Sequence, residues 1–86
     1  LEVKKAREWI LNKFKSTKIR THFSGGNYFL IWPKKDPKTL IKEMKEIGIL
    51  IRSMENKKDI DNAIRVSIGN KQQMSFFWDN YKKLDL

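Results

Sequence analysis

Apolar residues recur along this chain with two different periods. Between residues 2 and 15, Val3, Ala6, Ile10 and Phe14 return at three- and four-residue steps, Trp9 and Leu11 widen the stripe, and Lys4, Lys5, Glu8 and Lys15 take the other side. That spacing predicts an amphipathic helix laid on a sheet. From Lys18 to Phe23 the period falls to two, with Ile19, Thr21 and Phe23 on one face, which predicts a strand. Ser24-Gly25-Gly26 supplies a turn, since glycine reaches positive φ without penalty. Asn27–Trp32 is apolar on both faces, the mark of a central strand covered from both sides. A single helical layer covers one side only. The second face therefore predicts another domain or subunit.

Pro33 ends that strand, and Asp36-Pro37 opens a helix with Asp36 as N-cap and proline at the first helical position. Leu40, Ile41, Met44 and Ile47 form its apolar stripe, and Gly48 stands where a helix turns off. Two short apolar runs follow, Ile49–Ile51 and Ala63–Ile68, each with one arginine and joined by a polar loop around Asn56-Lys57-Lys58-Asp59. In the first, Leu50 and Arg52 share a face; in the second, Ile64, Val66 and Ile68 alternate with Arg65 and Ser67. Beyond Gly69, Asn70-Lys71-Gln72-Gln73 has the pattern of a capping box. Met74, Phe77, Trp78, Tyr81 and Leu84 then give a last helix its core stripe.

The elements predict one α+β domain over residues 1–86: a small antiparallel or mixed sheet of three to four strands with three helices packed on one face. Eighty-six residues suit one domain of modest stability. The first residue is leucine rather than methionine, from which a piece cut from a longer protein, or a processed chain, is expected. The chain has no cysteine, which excludes disulfides and thiolate chemistry and fits a cytoplasmic setting. Its longest apolar run, Tyr28–Trp32, is far short of the roughly 20 residues of a membrane span, and no membrane partner is expected. The net charge of +9 raises the question of nucleic acid. Fifteen of the nineteen basic residues are lysines scattered among acids, however, which reads as a solvated surface. A free-standing basic module that binds nucleic acid is the alternative of another class, but the glycine-aromatic signature of an RNA-recognition motif is missing.

Chemistry is sparse. His22 has no histidine, cysteine or carboxylate at ligand spacing, so no metal is expected. Gly25-Gly26 lacks the pattern of a phosphate-cradling loop. The pair Arg52 and Arg65 stands out. If the two runs fold as an antiparallel hairpin, both guanidiniums leave the core on the same side of the sheet, where they repel each other unless an anion lies between them. Planar, permanently charged arginine matches carboxylate or phosphate.

Ile49-Leu50-Ile51-Arg52 followed by Ile64-Arg65-Val66-Ser67-Ile68-Gly69 resembles the C-terminal segment of the histidinol-phosphate aminotransferases, fold-type I enzymes that use pyridoxal phosphate. Ser24-Gly25-Gly26-Asn27-Tyr28-Phe29 is similar to that family's Asn-Phe strand, with Gly26 where alanine is common. The resemblance covers nearly all of this chain but only the last quarter or so of such an enzyme. It implies that Arg65 clamps the carboxylate of the amino donor, that Arg65 and Arg52 together hold the phosphate of histidinol phosphate, and that Asn27 sits at the rim of the site. It implies amino transfer between glutamate and imidazole-acetol phosphate in a parent that dimerises and holds pyridoxal phosphate in its large domain. A threonine-phosphate decarboxylase or another aminotransferase of the same scaffold is the alternative within the family. The lysine that carries the cofactor is missing here, because Ser16-Thr17-Lys18 lacks its serine-rich context. The fragment alone is expected to bind no cofactor and to turn nothing over.

Overall fold

The structure is a computed structural model that describes residues 2–23, 26–54, 57, 58, 60 and 62–86, with side chains from residue 4 onward. In chain order it runs α1 (Glu2–Lys15), β1 (Arg20–Phe23), β2 (Tyr28–Trp32), α2 (Pro37–Glu46), β3 (Arg52–Ser53), β4 (Ile64–Ser67) and α3 (Lys71–Asp85). The four strands form one sheet in the order β1-β2-β4-β3, antiparallel throughout. The expected α+β domain of three helices and a small sheet is therefore the observed one. Ser24 and Gly25 of the expected turn, the side chain of Val3, and Asn56 and Asp59 of the polar loop lie outside the described residues.

Period two assigns the faces. Phe29 and Ile31 of β2 and Ile64 and Val66 of β4 share one side of the sheet and are buried. Ala6, Ile10 and Phe14 of α1, Leu40 and Met44 of α2, and Met74, Phe77, Trp78 and Tyr81 of α3 close over them as one core. Phe14 lies at its centre, 5.9 Å from the Phe29 ring, 5.0 Å edge-on from Trp78 and 5.3 Å from Tyr81.

The helix ends are built as the local sequence predicts. Asp36 accepts the Thr39 amide at 3.2 Å to open α2. At its far end the amides of Gly48 and Ile49 bond to the carbonyls of Lys45 and Met44, at 3.0 and 2.9 Å. This closure needs a left-handed residue, and Gly48 supplies it with φ at 87°. Asn70 and Gln73 form the reciprocal capping box of α3, at 2.8 and 2.9 Å.

Two expectations are corrected. The Ile49–Ile51 run does not join the ladder, which begins only at Arg52. The Ile49 amide is committed to capping α2, so the extended segment cannot pair until it has left the helix end. Ile47 is not part of the core stripe of α2 but an exposed C-cap residue.

One long-range polar contact ties the layers together. Asp85, on the last turn of α3 and buried, accepts the amides of Lys34 and Lys35 at 2.9 Å each and the Tyr81 hydroxyl at 2.5 Å. The turn between β2 and α2 is thereby pinned to the end of the chain.

Candidate anion-binding face

The sheet face turned away from the helices carries the arginines. Arg52 and Arg65 are direct cross-strand partners in β3 and β4. Arg65 is also opposite Leu30 of β2, which in turn faces His22 of β1. One row across the sheet therefore reads His22, Leu30, Arg65, Arg52. Like charges directly opposite one another destabilise a strand pair. Here Arg65 leans away from Arg52 and lays its guanidinium over the Tyr28 ring, 4.4 Å from the centroid. Arg20 does the same over Trp32, its direct partner, at 4.0 Å.

These stacks alter what the sheet face presents. An open apolar patch is the expectation from residues 28–32, yet Leu30 is only 5% exposed and Tyr28 and Trp32 are half-buried. Leu30 is thus covered from within the chain. The prominent exposed apolar residues lie elsewhere, with Leu50 at 79% and Phe76 at 52%. Both rim an open groove of about 530 Å³ between the end of β4 and the start of α3, lined also by Gly48, Ser67, Gly69 and Gln73. Neither arginine lines this groove, nor does Asn27.

The face is selective in its charge. Three of the chain's four arginines stand on it, and its four strands contain neither a lysine nor an acid. Among the described residues none of these arginines has a carboxylate partner; the ion pairs lie at Lys35–Glu43 and Lys82–Asp79. What this arrangement can do is hold oxyanions in defined orientation. Asn27 lies at the head of β2, where its main-chain carbonyl accepts the Ile68 amide at 2.7 Å. Its visible work is to fix β4 against β2 at the rim of the face.

Every described lysine is exposed except Lys35, which is half-buried and paired with Glu43 at 2.7 Å. No group of three or more histidine, cysteine or acidic residues placed to hold a metal occurs among the described residues. No described helix is long and apolar enough to cross a membrane.

The sequence pattern put Arg52 and Arg65 on one sheet face, where the structure has them, but missed the stacks on Tyr28 and Trp32. The signal was available in part. Period two places Tyr28, Leu30 and Trp32 together on the face opposite Phe29 and Ile31.

No family model matches the chain. Histidinol-phosphate aminotransferases of Clostridium botulinum do: that of strain Okra is 31% identical over 84 residues and that of strain Kyoto 32% identical over 85. The aligned residues make up 96% and 98% of this chain but 23% and 24% of those enzymes. The chain is homologous to a segment of histidinol-phosphate aminotransferase. It spans about a quarter of the length of the relatives it matches. A crystal structure from Erwinia carotovora atroseptica, assigned as a histidinol-phosphate aminotransferase, superposes over 95% of this chain and 23% of its own with a TM-score of 0.82. At 24% identity that likeness establishes the fold.

Proposed function

We propose that this chain is the C-terminal small domain of a cytoplasmic, pyridoxal-phosphate-dependent aminotransferase of the histidinol-phosphate type, and that its part in the reaction is to bind and orient the anionic end of the substrate. The observation that carries this reading is the direct pairing of Arg65 with Arg52 on a sheet face without acids, in a chain homologous to part of such enzymes.

Arg65 is half-buried with its guanidinium over Tyr28, so the side chain is partly ordered before ligand arrives. A carboxylate or phosphate taken by this fork gains charge-assisted hydrogen bonds without the full entropy cost of ordering a free side chain. Arg52, exposed across the strand, adds its charge where the anion is larger, as in a phosphorylated or dicarboxylic substrate. Asn27 keeps the two strands in register at the rim.

Pyridoxal phosphate supplies the electron sink for amino transfer, and its lysine and phosphate cradle belong to the large domain of the same parent. That domain, in a parent that forms a homodimer, is the partner to which this chain presents its arginines. The groove rimmed by Leu50 and Phe76 supports a covered surface next to the site.

The test is kinetic and uses the full-length protein. Arg65→Lys keeps the charge but loses the two-pronged geometry. It should lower kcat/KM for the glutamate and imidazole-acetol phosphate pair by about 30- to 1000-fold, or ~2–4 kcal/mol, with the cofactor spectrum unchanged. Arg52→Lys should weaken the phosphorylated substrate more than glutamate. Near-normal kinetics for Arg65→Lys would remove both arginines from the site.

A further inference from the structure

Arg20 is not accounted for by the Arg65–Arg52 pair. It stands on β1, two strands from Arg65, with its guanidinium 4.0 Å from the centre of the Trp32 indole. Arg65 occupies the equivalent position over Tyr28, at 4.4 Å. Tyr28 and Trp32 lie on the same face of the same strand, four residues and therefore about 13 Å apart. Leu30 lies between them, nearly buried. The face thus carries two guanidiniums over aromatic rings, one over each end of β2, with the nearly buried Leu30 beneath the space between them. His22 stands beside Leu30 and two residues from Arg20 on the same side of β1.

Neither stack is a substitute for an ion pair, since among the described residues neither arginine meets a carboxylate. A guanidinium attracted to the face of an aromatic ring still has five N–H donors, and those the ring does not engage are available to a phosphate or carboxylate.

We propose that Arg20, stacked on Trp32, is a second oxyanion-binding pole, and that the face takes an elongated ligand lying along β2 across Leu30 with one anionic group at Arg65 and another at Arg20. The proposal rests on the assignment of Arg65 as an anion-binding residue and extends it to ligands with two separated charges. His22 borders the path of such a ligand and can donate one further hydrogen bond. Glutamate is too short to reach both poles, so Arg20 would discriminate among ligands by length as well as by charge.

The 86-residue chain itself serves for the test, with inorganic phosphate, hexane-1,6-diol bisphosphate and decanedioate as probes. The arginine Nε–H and tryptophan indole N–H signals are followed by NMR. The bisphosphate should bind at least about tenfold more tightly than inorganic phosphate, because the second contact becomes intramolecular. The Arg20, Trp32 and Arg65 signals should saturate together. Arg20→Lys and Arg65→Lys, each checked for folding by circular dichroism, should each return the bisphosphate to the affinity of phosphate, while Lys57→Ala should not. Decanedioate matching the bisphosphate would assign the pole to carboxylates as well; decanedioate failing while the bisphosphate succeeds would assign it to phosphates alone.

A bisphosphate that binds no better than phosphate, with only Arg65 responding, would overturn the second pole and leave the Arg65 assignment standing. Response at Arg20 with Arg65 silent would overturn both. Unchanged bisphosphate affinity in Arg20→Lys would show that diffuse charge alone is at work and would also overturn the proposal.

Discussion

The hydroxyl of Tyr81 donates to Oδ2 of Asp85 at 2.5 Å, one helical turn further along α3. A carboxylate at a helix C-terminus faces the negative end of the helix dipole and is ordinarily unfavourable there. Three donors offset this: the tyrosine and the amides of Lys34 and Lys35. Hydrogen bonds to a charged group contribute about 1.5–3 kcal/mol each. Asp85→Ala should therefore lower the unfolding free energy by about 3 kcal/mol or more, because two loop amides lose their acceptor. Tyr81→Phe should cost about 1.5–3 kcal/mol. Urea denaturation of the three proteins measures both.

The same pair gives the chain an alkaline limit. Burial first, and then the hydrogen bond and charge of Asp85, push the Tyr81 hydroxyl far above the ordinary tyrosine range. A raised value in the folded state means that the unfolded chain releases this proton first. Stability is thus intact below about pH 10 and falls above it, by roughly 1.4 kcal/mol per pH unit from this group alone. Tyr81→Phe should remove that component of the slope. In the wild type, phenolate absorbance from Tyr81 should appear only together with unfolding. Its appearance in a chain that is still folded would contradict the assignment.

Gly69 precedes the capping box, and a methyl group placed on it would run into the Gln73 amide that reaches back to the Asn70 N–H. The far end of a glutamine can swing away, but Gln73 Cβ, 3.3 Å from the methyl position, must also give by a few tenths of an ångström. Gly69→Ala should therefore cost what the lost half of the box contributes, about 0.5–1 kcal/mol, plus a small packing strain. Gln73→Ala should cost a similar amount. The double variant should cost little more than either, since both remove one bond. Additive losses in a thermal-denaturation cycle would place the effect elsewhere.

Leu50 and Ile51 are neighbours with opposite fates, the first 79% exposed and the second 8%. Leu50→Ser should change the stability of the isolated chain by no more than about 0.5 kcal/mol. Ile51→Ala should cost about 2–4 kcal/mol through the cavity it leaves. Comparable losses at both positions would mean that the segment is rotated from the orientation described.

What the sequence made legible was local. Asp36-Pro37, Gly48 and the Asn70–Gln73 box act within a few residues, so their caps follow from spacing alone. The core stripes were equally plain, because helical and strand periods distribute apolar residues differently. Contacts set by distant register were not legible. That Arg20 meets Trp32, and Arg65 leans on Tyr28 rather than Arg52, depends on how three strands align. Asp85 looks like a surface acid at the chain end until the turn some fifty residues earlier is brought against it. The late start of β3 escaped for a related reason: the Ile49 amide had two possible uses, and α2 claims it. At the site, the two arginines were readable from alternation on one face. The rings that hold Arg20 and Arg65 needed the cross-strand neighbours.

The packing of α1 against α3 has a consequence for how the protein is made. Phe14 emerges from the ribosome well before its partners Trp78 and Tyr81, which lie on the last described helix. β2 likewise waits for β4. Until α3 has been synthesised, the nascent polypeptide exposes most of what will become the core of this domain, and a stall before Lys71 would leave that surface open to chaperones and proteases. Before α3 emerges, folding can form α1, α2 and the β1–β2 pair, but it cannot bury them.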